Sequence, residues 1–341
     1  MSRYRYFVYA LLACALTSSA FAQDPVERFY HGGTITVLIA QGPGGGYDHY
    51  ARLLMNHMPK HIPGHPSMAV QYMPGAAGVK GTNYIYTAAP KDATMICMPP
   101  YALAHIQILR GKVRYDAAKL NYLGRMAGLN GMLMVWNHAP AKTLADIRKT
   151  QVIIAAGGTS GQSYMNPTLM KSLLGLNLKV VTGYNNGAAT MDLAIERGEA
   201  DGRVGIWADM LIEKKGEIAS GRIIPLVEVG LEKTPVSPKD VPLVADLATN
   251  QDDKTILEFM ASSSAVGRFF VLPPDVPNDR LVALRRAFDA TMADPALLAE
   301  AKRRNFVIEP MSGEKLQETV ARTLKISPAL VQKTKTALNW H

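Results

Sequence analysis

Cysteine is scarce in the 341-residue chain: Cys14 and Cys97 are its only two. So few thiols build neither a disulfide framework nor a thiolate metal set. Cys97, between Ile96 and Met98, reads as a core residue rather than a reactive one. No His, Asp or Glu cluster has metal-ligand spacing, no carboxylates are paired, and no Cys/His pair is positioned for nucleophilic work. No cofactor, no metal and no catalytic residue is therefore expected. Long apolar runs are missing as well; the stretch 7–16 falls well short of the ~20 residues that span a bilayer. Basic clusters are short. The longest, Lys302-Arg303-Arg304, lies on an expected helix face with no aromatic-plus-basic motif beside it, which argues against nucleic acid as a partner. Internal repeats, low-complexity segments and Ser/Gly linkers are all absent, so any two domains must be joined by strands or short turns.

What is present starts with a targeting signal. Arg3 and Arg5 precede the apolar stretch, small residues follow, and Ala20-Phe21-Ala22 ends the segment before Gln23, the layout of a cleavable secretory signal over 1–22. The mature protein is expected to be exported and soluble. A second reading takes Leu11-Leu12-Ala13-Cys14 as a lipoprotein box with Cys14 as the lipidated N-terminus. The formal net charge of +9 favours acidic ligands or anionic surfaces. The length exceeds one ordinary core, so two domains are expected.

The chain is organised around Gly42-Pro43-Gly44-Gly45-Gly46-Tyr47-Asp48. A β-branched and aliphatic run, 36–40, reads as a buried strand, and Tyr50, Leu53, Leu54 and His57 follow at helical spacing. Glycines between strand and helix let backbone N–H groups turn outward, and the helix N-terminus adds about half a positive charge. Such a turn attracts an anion. It is neither a Walker loop, since Tyr47 and Asp48 follow Gly46, nor a dinucleotide loop, since position 47 is not glycine. A β-branched residue at Gly45 is expected to obstruct the turn. Asp48, a carboxylate beside an anion site, is expected to stabilise the helix start, with a ligand ammonium or hydroxyl as its other possible partner.

Strand, turn and helix then alternate roughly every thirty residues, which predicts parallel βαβ units with ligands at the carboxyl ends of strands. Residues 42–48, 74–78 and 99–101, including Tyr101, lie at such ends. The histidines at 57, 61 and 65 cannot share a helix face across Pro59, Pro63 and Gly64, so they read as a loop. Strands are expected at 68–72, 94–98, 132–136, 152–156, 179–182, 200–207, 223–229 and 266–272. The run 152–156 opens into Gly157-Gly158-Thr159-Ser160-Gly161-Gln162-Ser163, a second anion-attracting turn, and two such turns suggest a ligand held from both sides. A nucleophile elbow would need glycine where Gln162 stands. Trp207, at a strand end near the presumed cleft, reads either as a ligand-stacking ring or as core.

These residues resemble the periplasmic receptors of tripartite tricarboxylate transporters, the Bug or TctC-like family. Gly42 to Asp48 with Ala51-Arg52 is similar to that family's P-P-G-G-G-x-D…A-R signature, and Met73-Pro74-Gly75-Ala76-Ala77-Gly78 to its R-P-G-A-G-G. Ala89-Pro90-Lys91-Asp92-Ala93-Thr94 is similar to its A-x-P-D-G-Y-T, and Ala156 to Ser163 to its A-G-x-G-S loop. Thr182-Gly183-Tyr184-Asn185 through Asp192, Gly198 and Asp201 resembles its P-Y-K-G…D-L…G-x-V-D block, and Pro273-Pro274-Asp275-Val276-Pro277 its A-P-x-G-T-P-x turn.

The resemblance implies an α/β, two-lobed periplasmic-binding-protein fold of type II-like architecture, each lobe a sheet flanked by helices, with the ligand cleft between them. It implies lobe 1 at 23–127 plus 267–341 and lobe 2 at 128–266. It further implies a monomeric, non-enzymatic receptor in the periplasm that hands a small organic carboxylate to integral-membrane transporter subunits. The ligand residues so implied are Gly44, Gly45, Gly46, Tyr47 and Asp48 with Tyr101 from the first lobe, and Thr159, Ser160, Gly161, Ser163, Tyr184, Asn185 and Trp207 from the second. Tyr47 and Asn185 depart from the family pattern, so a mono- or dicarboxylate is as consistent as a tricarboxylate. Two alternatives are an exported hydrolase using Ser160 or Ser163 and a ligand sensor for a signalling partner.

Overall fold

A computed structural model describes residues 24–184 and 187–340; the expected signal segment 1–22, Cys14 and Asn185 lie outside the described residues. Aliphatic and β-branched runs bounded by breakers form β1 (Thr34–Ile39), β2 (Ser67–Tyr72), β3 (Met95–Met98), β4 (Asn121–Ala127), β5 (Gly131–Trp136) and β6 (Val152–Ala155). Later in the chain come β7 (Leu178–Val181), β8 (Gly202–Ile206), β9 (Ile223–Val229), β10 (Arg268–Leu272) and the two-residue β11 (Met311–Ser312). They build two sheets, ordered β11-β4-β10-β3-β1-β2 and β7-β6-β8-β5-β9.

β2, β1 and β3 run parallel, as do β7, β6 and β8, so the strand-turn-helix repeat does feed βαβ crossovers. The other pairings are antiparallel: β10 with β3 and β4, β11 with β4, and β5 with β8 and β9. The sheets are thus mixed, where the sequence period alone pointed to parallel units. The physical reason is the crossing between sheets. β4 runs through residues 128–130 straight into β5, and β10 returns from the second sheet. A strand that enters from the other sheet closes no βαβ unit within its own, and β5 and β10 both lie antiparallel to their neighbours.

Each sheet is covered on both faces. One face of the first sheet buries Ile35, Val37, Tyr50, Leu53 and Phe288 in one core, and the other buries Leu38, Cys97, Phe269 and Leu316. The second sheet buries Leu133, Ile154 and Leu169 on one side and Met134, Trp136 and Trp207 on the other. Cys97 is free and buried, and burial pushes its thiol well above the ordinary range. The final helix, Pro328–Ala337, and Leu338 pack into the second sheet's core beside Leu109 and Leu169, although 267–341 reads as first-lobe sequence. The chain therefore returns to the first sheet at β10 and ends against the second. The three histidines divide as the prolines require. His57 closes its helix and meets Glu300 at 2.9 Å, His61 meets Asp294 at 3.1 Å, and His65 stays exposed. Among the described residues no helix is long and apolar enough to cross a membrane.

Candidate functional site

The glycine turn after β1 leads into the helix Gly46–His57, whose N-cap, Gly45, makes no side-chain cap bond. Its first amides have no partner inside the helix and form an anion-attracting end. Gly44 has φ +81°, which only glycine adopts without strain. Gly45 has an ordinary φ and nothing within 4 Å of a Cβ placed on it. The steric demand expected at Gly45 therefore falls on its neighbours, and most sharply on Gly46. A Cβ there would overlap the guanidinium of Arg268 and both carboxylate oxygens of Asp209.

Asp48 is buried and fully engaged within its own lobe. It accepts the Gly44 amide at 3.0 Å, the Arg52 Nε–H at 2.8 Å and the Tyr72 hydroxyl at 2.6 Å. Burial pushes its carboxyl up, but the bonds from Tyr72, Gly44 and Arg52 outweigh this and hold it below the ordinary carboxylate range. The geometry favours the helix-start role over a ligand contact. It also means that the Gly44 amide points at Asp48 instead of outward. Tyr47 and Tyr101 are brought together, the Tyr101 backbone N–H donating to the Tyr47 hydroxyl at 3.1 Å.

The second turn follows β6 and opens the helix Gln162–Leu174, again without a side-chain cap at Gly161. Ser163 Oγ accepts the Gly157 amide at 3.2 Å, and Gly161 donates to the Gly158 carbonyl at 2.9 Å. Both bonds shape the turn. Tyr184 lies beside it, its amide donating to the Ala156 carbonyl at 3.3 Å. Among the described residues no histidine or carboxylate bonds Ser160 or Ser163. Trp207 is buried, and its indole N–H donates to the Val236 carbonyl at 2.9 Å. Its ring belongs to the second core, which is the core side of the two readings open for it.

The second glycine turn approaches the small-residue turn after β2. A Cβ on Gly161 would sit 3.5 Å from Ala77 Cβ, at the small-residue turn after β2. Beyond that meeting point a groove of about 540 Å³ is lined by Ala76, Arg110, Lys112, Thr159, Ser160 and Trp340, among others. Arg110 donates to Thr159 Oγ1, and its guanidinium lies 3.8 Å from the centre of the Trp340 ring.

At the first glycine turn two unanticipated residues meet. Arg268, the first residue of β10, is 1% exposed, and its guanidinium lies 4.2 Å from the centre of the Tyr47 ring and 5.4 Å from that of Tyr50. It forms an ion pair with Asp209, on the helix Trp207–Glu213 that follows β8 of the second sheet. Burial disfavours the charge on Arg268, but Asp209 more than restores it and raises its pKa. Behind the pair, burial and then repulsion from Asp209 push Glu213 up to about 7. The sequence carried a signal for Arg268, the one charge in an otherwise apolar strand run; Asp209, one of two acids on a short, mainly apolar helix, carried none.

No family profile matches the chain, and no curated protein does. Solved structures do. The structure of the periplasmic binding protein BugD superposes with a TM-score of 0.70 at 19% identity, covering 90% of this chain and 98% of that one. The fold is that of a periplasmic solute-binding protein. MatC from Rhodopseudomonas palustris, solved with bound malate, has the same binding-protein fold, with a TM-score of 0.65 at 19% identity over 87% of this chain and 98% of its own. An R. palustris protein solved with adipate gives 0.67 at 17% identity over 90% and 97%. The glycine turns after β1 and β6 follow strands of different sheets.

Proposed function

We propose that this chain is a Bug/TctC-like receptor that captures a small organic carboxylate between its lobes and presents it to the membrane subunits of a tripartite tricarboxylate-type transporter. The observation that carries the reading is a pair of uncapped helix starts, at Gly46 and Gln162, each following a strand of a different, separately cored sheet. Each offers unpartnered amides to one small anion, so a ligand carboxylate gains bonds from both lobes only when they close on it. The malate and adipate bound by proteins of the same fold agree in size and charge.

The proposed site comprises Gly45, Gly46, Tyr47 and Tyr101 on one side and Thr159, Ser160, Gly161 and Tyr184 on the other, with Gly44, Asp48 and Ser163 shaping the turns. Asn185 belongs to it by the resemblance alone. In this reading the lobes are 23–127 with 267–341 and 128–266, the last helix strapping the first lobe's chain to the second. The protein acts as a monomer in the periplasm after removal of 1–22, and without catalysis.

A thermal-shift screen of the chain from Gln23 onward, refolded to strip co-purified ligand, tests it against mono-, di- and tricarboxylates. A ligand bound at a hundred times its dissociation constant adds about 2.7 kcal/mol. A response to one subclass of acids supports the receptor; silence across all carboxylates by native protein, or ester turnover lost on Ser160 or Ser163 replacement, overturns it.

A further inference from the structure

The Arg268–Asp209 pair straddles the cleft. Arg268 belongs to the first sheet and points at the start of the helix Gly46–His57; Asp209 comes from the second lobe. Pairing satisfies neither side chain. Arg268 Nε and Nη1 and Asp209 Oδ1 are buried and lack any hydrogen-bond partner. Arg268 is almost wholly inaccessible, so two of its donors are enclosed and unmet, a costly state for a guanidinium that is always charged. Buried polar atoms of this kind call for partners, and at a binding cleft a ligand is able to supply them.

The polarity of the cleft at this point is directional. The first lobe presents positive character from Arg268 and from the uncapped helix end at Gly46, with the Tyr47 ring against the guanidinium. The second lobe presents the carboxylate of Asp209, with Glu213 behind it. When the lobes part, the two charges separate, one on each wall. A molecule inserted between them is matched if its anionic end faces Arg268 and Gly46 and its cationic end faces Asp209. A plain dicarboxylate places a second negative charge toward Asp209 and leaves Oδ1 without a donor.

We infer that the ligand is a zwitterion, a carboxylate that also carries a protonated amine, with Arg268 holding its carboxylate and Asp209 its ammonium group. The inference rests on the receptor reading above and narrows its substrate class to amino acids and related amino carboxylates. A neutral pair of charges inserted between Arg268 and Asp209 keeps the closed cleft neutral and supplies the partners that Nε, Nη1 and Oδ1 lack.

The test is titration calorimetry on refolded protein with acids matched in skeleton and differing in the amine: alanine against propionate, aspartate against succinate, glutamate against glutarate, γ-aminobutyrate against butyrate. The expected result is at least tenfold tighter binding of the amino member of one pair. In Asp209→Asn, shown to be folded by circular dichroism, that preference falls at least tenfold, while the des-amino acid binds no more weakly than before. Equal or tighter binding of the des-amino acids by the wild type overturns the inference and leaves the receptor reading standing, and this comparison needs no variant. A uniform gain in affinity for both members in Asp209→Asn also overturns it, since Asp209 is then only a latch. Failure of native wild type to bind any acid of either kind overturns the receptor reading itself.

Discussion

Asp48 Oδ2 accepts the Gly44 backbone N–H at 3.0 Å, so the first turn of a helix reaches back to hold the glycine turn that launches it. Its other oxygen takes Arg52 from the next helical turn and Tyr72 from the end of β2. Asp48→Ala leaves the Gly44 amide and the Tyr72 hydroxyl without this acceptor and is expected to cost about 2 kcal/mol. Because the carboxyl sits below its ordinary range when folded, its contribution is complete above about pH 4 and drains as the pH falls through the folded value. Urea unfolding of the wild type and Asp48→Ala at pH 7 and pH 3 checks both points: the gap between them narrows in acid.

Gly46 and Gly45 are expected to differ although they are neighbours. Gly46→Ala drives a methyl group into the Arg268–Asp209 pair, forcing the lobes apart or the pair to shift, at about 1–3 kcal/mol. Gly45→Ala meets open space at an ordinary φ and is expected to be neutral or stabilising by up to about 1 kcal/mol. Melting temperatures of the two variants, compared with the wild type, check the contrast.

Much of this architecture was legible before the structure. The runs at 223–229 and 152–156 are rich in aliphatic and β-branched residues and ended by glycine, and they became β9 and β6 within a residue. The first glycine turn was legible because strand period, breaker cluster and helical period follow one another without a gap. β4 was not: Asn121-Tyr122-Leu123-Gly124-Arg125-Met126-Ala127 has a glycine and an arginine in its middle and no alternation. It is a strand because β10 and β11 pair with it. The Arg268–Asp209 contact was illegible for the same reason, since it joins residues 59 positions apart across two lobes. Local pattern reports local structure; a charge whose partner arrives from another sheet leaves only half a signal.

His105 is a titration probe of the contact between two helices distant in the chain. It sits on the helix Leu103–Arg110, and its Nε2 donates to the Phe259 carbonyl at 2.8 Å in the helix Gln251–Ala261. Burial lowers its pKa from 6.5 to about 4, against the opposing effect of the Phe259 carbonyl. The folded state therefore keeps it neutral while the unfolded chain takes up a proton below about pH 6.5, and stability is lost as the pH falls from there toward 4. His105→Gln is expected to lose up to about 3 kcal/mol less than the wild type between pH 7 and pH 4. Denaturant titrations at several pH values measure the difference; parallel curves would remove His105 from the account.

Asp192 and Arg203 form a buried pair, Arg203 Nη2 also meeting Met210 Sδ at 3.0 Å. Asp192→Ala strands a buried guanidinium and is expected to cost about 3–5 kcal/mol, whereas Asp192→Leu combined with Arg203→Met recovers most of that loss. A double-mutant cycle in urea reads the coupling directly.

In the proposed receptor one small carboxylate is held between the two glycine turns. The most direct measurement of this is calorimetric titration of the stripped, refolded chain from Gln23 onward with a carboxylate panel, repeated on Gly46→Ala, with the acid recovered and identified afterwards. The account predicts one saturable site per chain for one class of acid, at least tenfold weaker binding by folded Gly46→Ala, and acid recovered unchanged. Binding unaffected by that substitution, or no binding by native wild type, would contradict it.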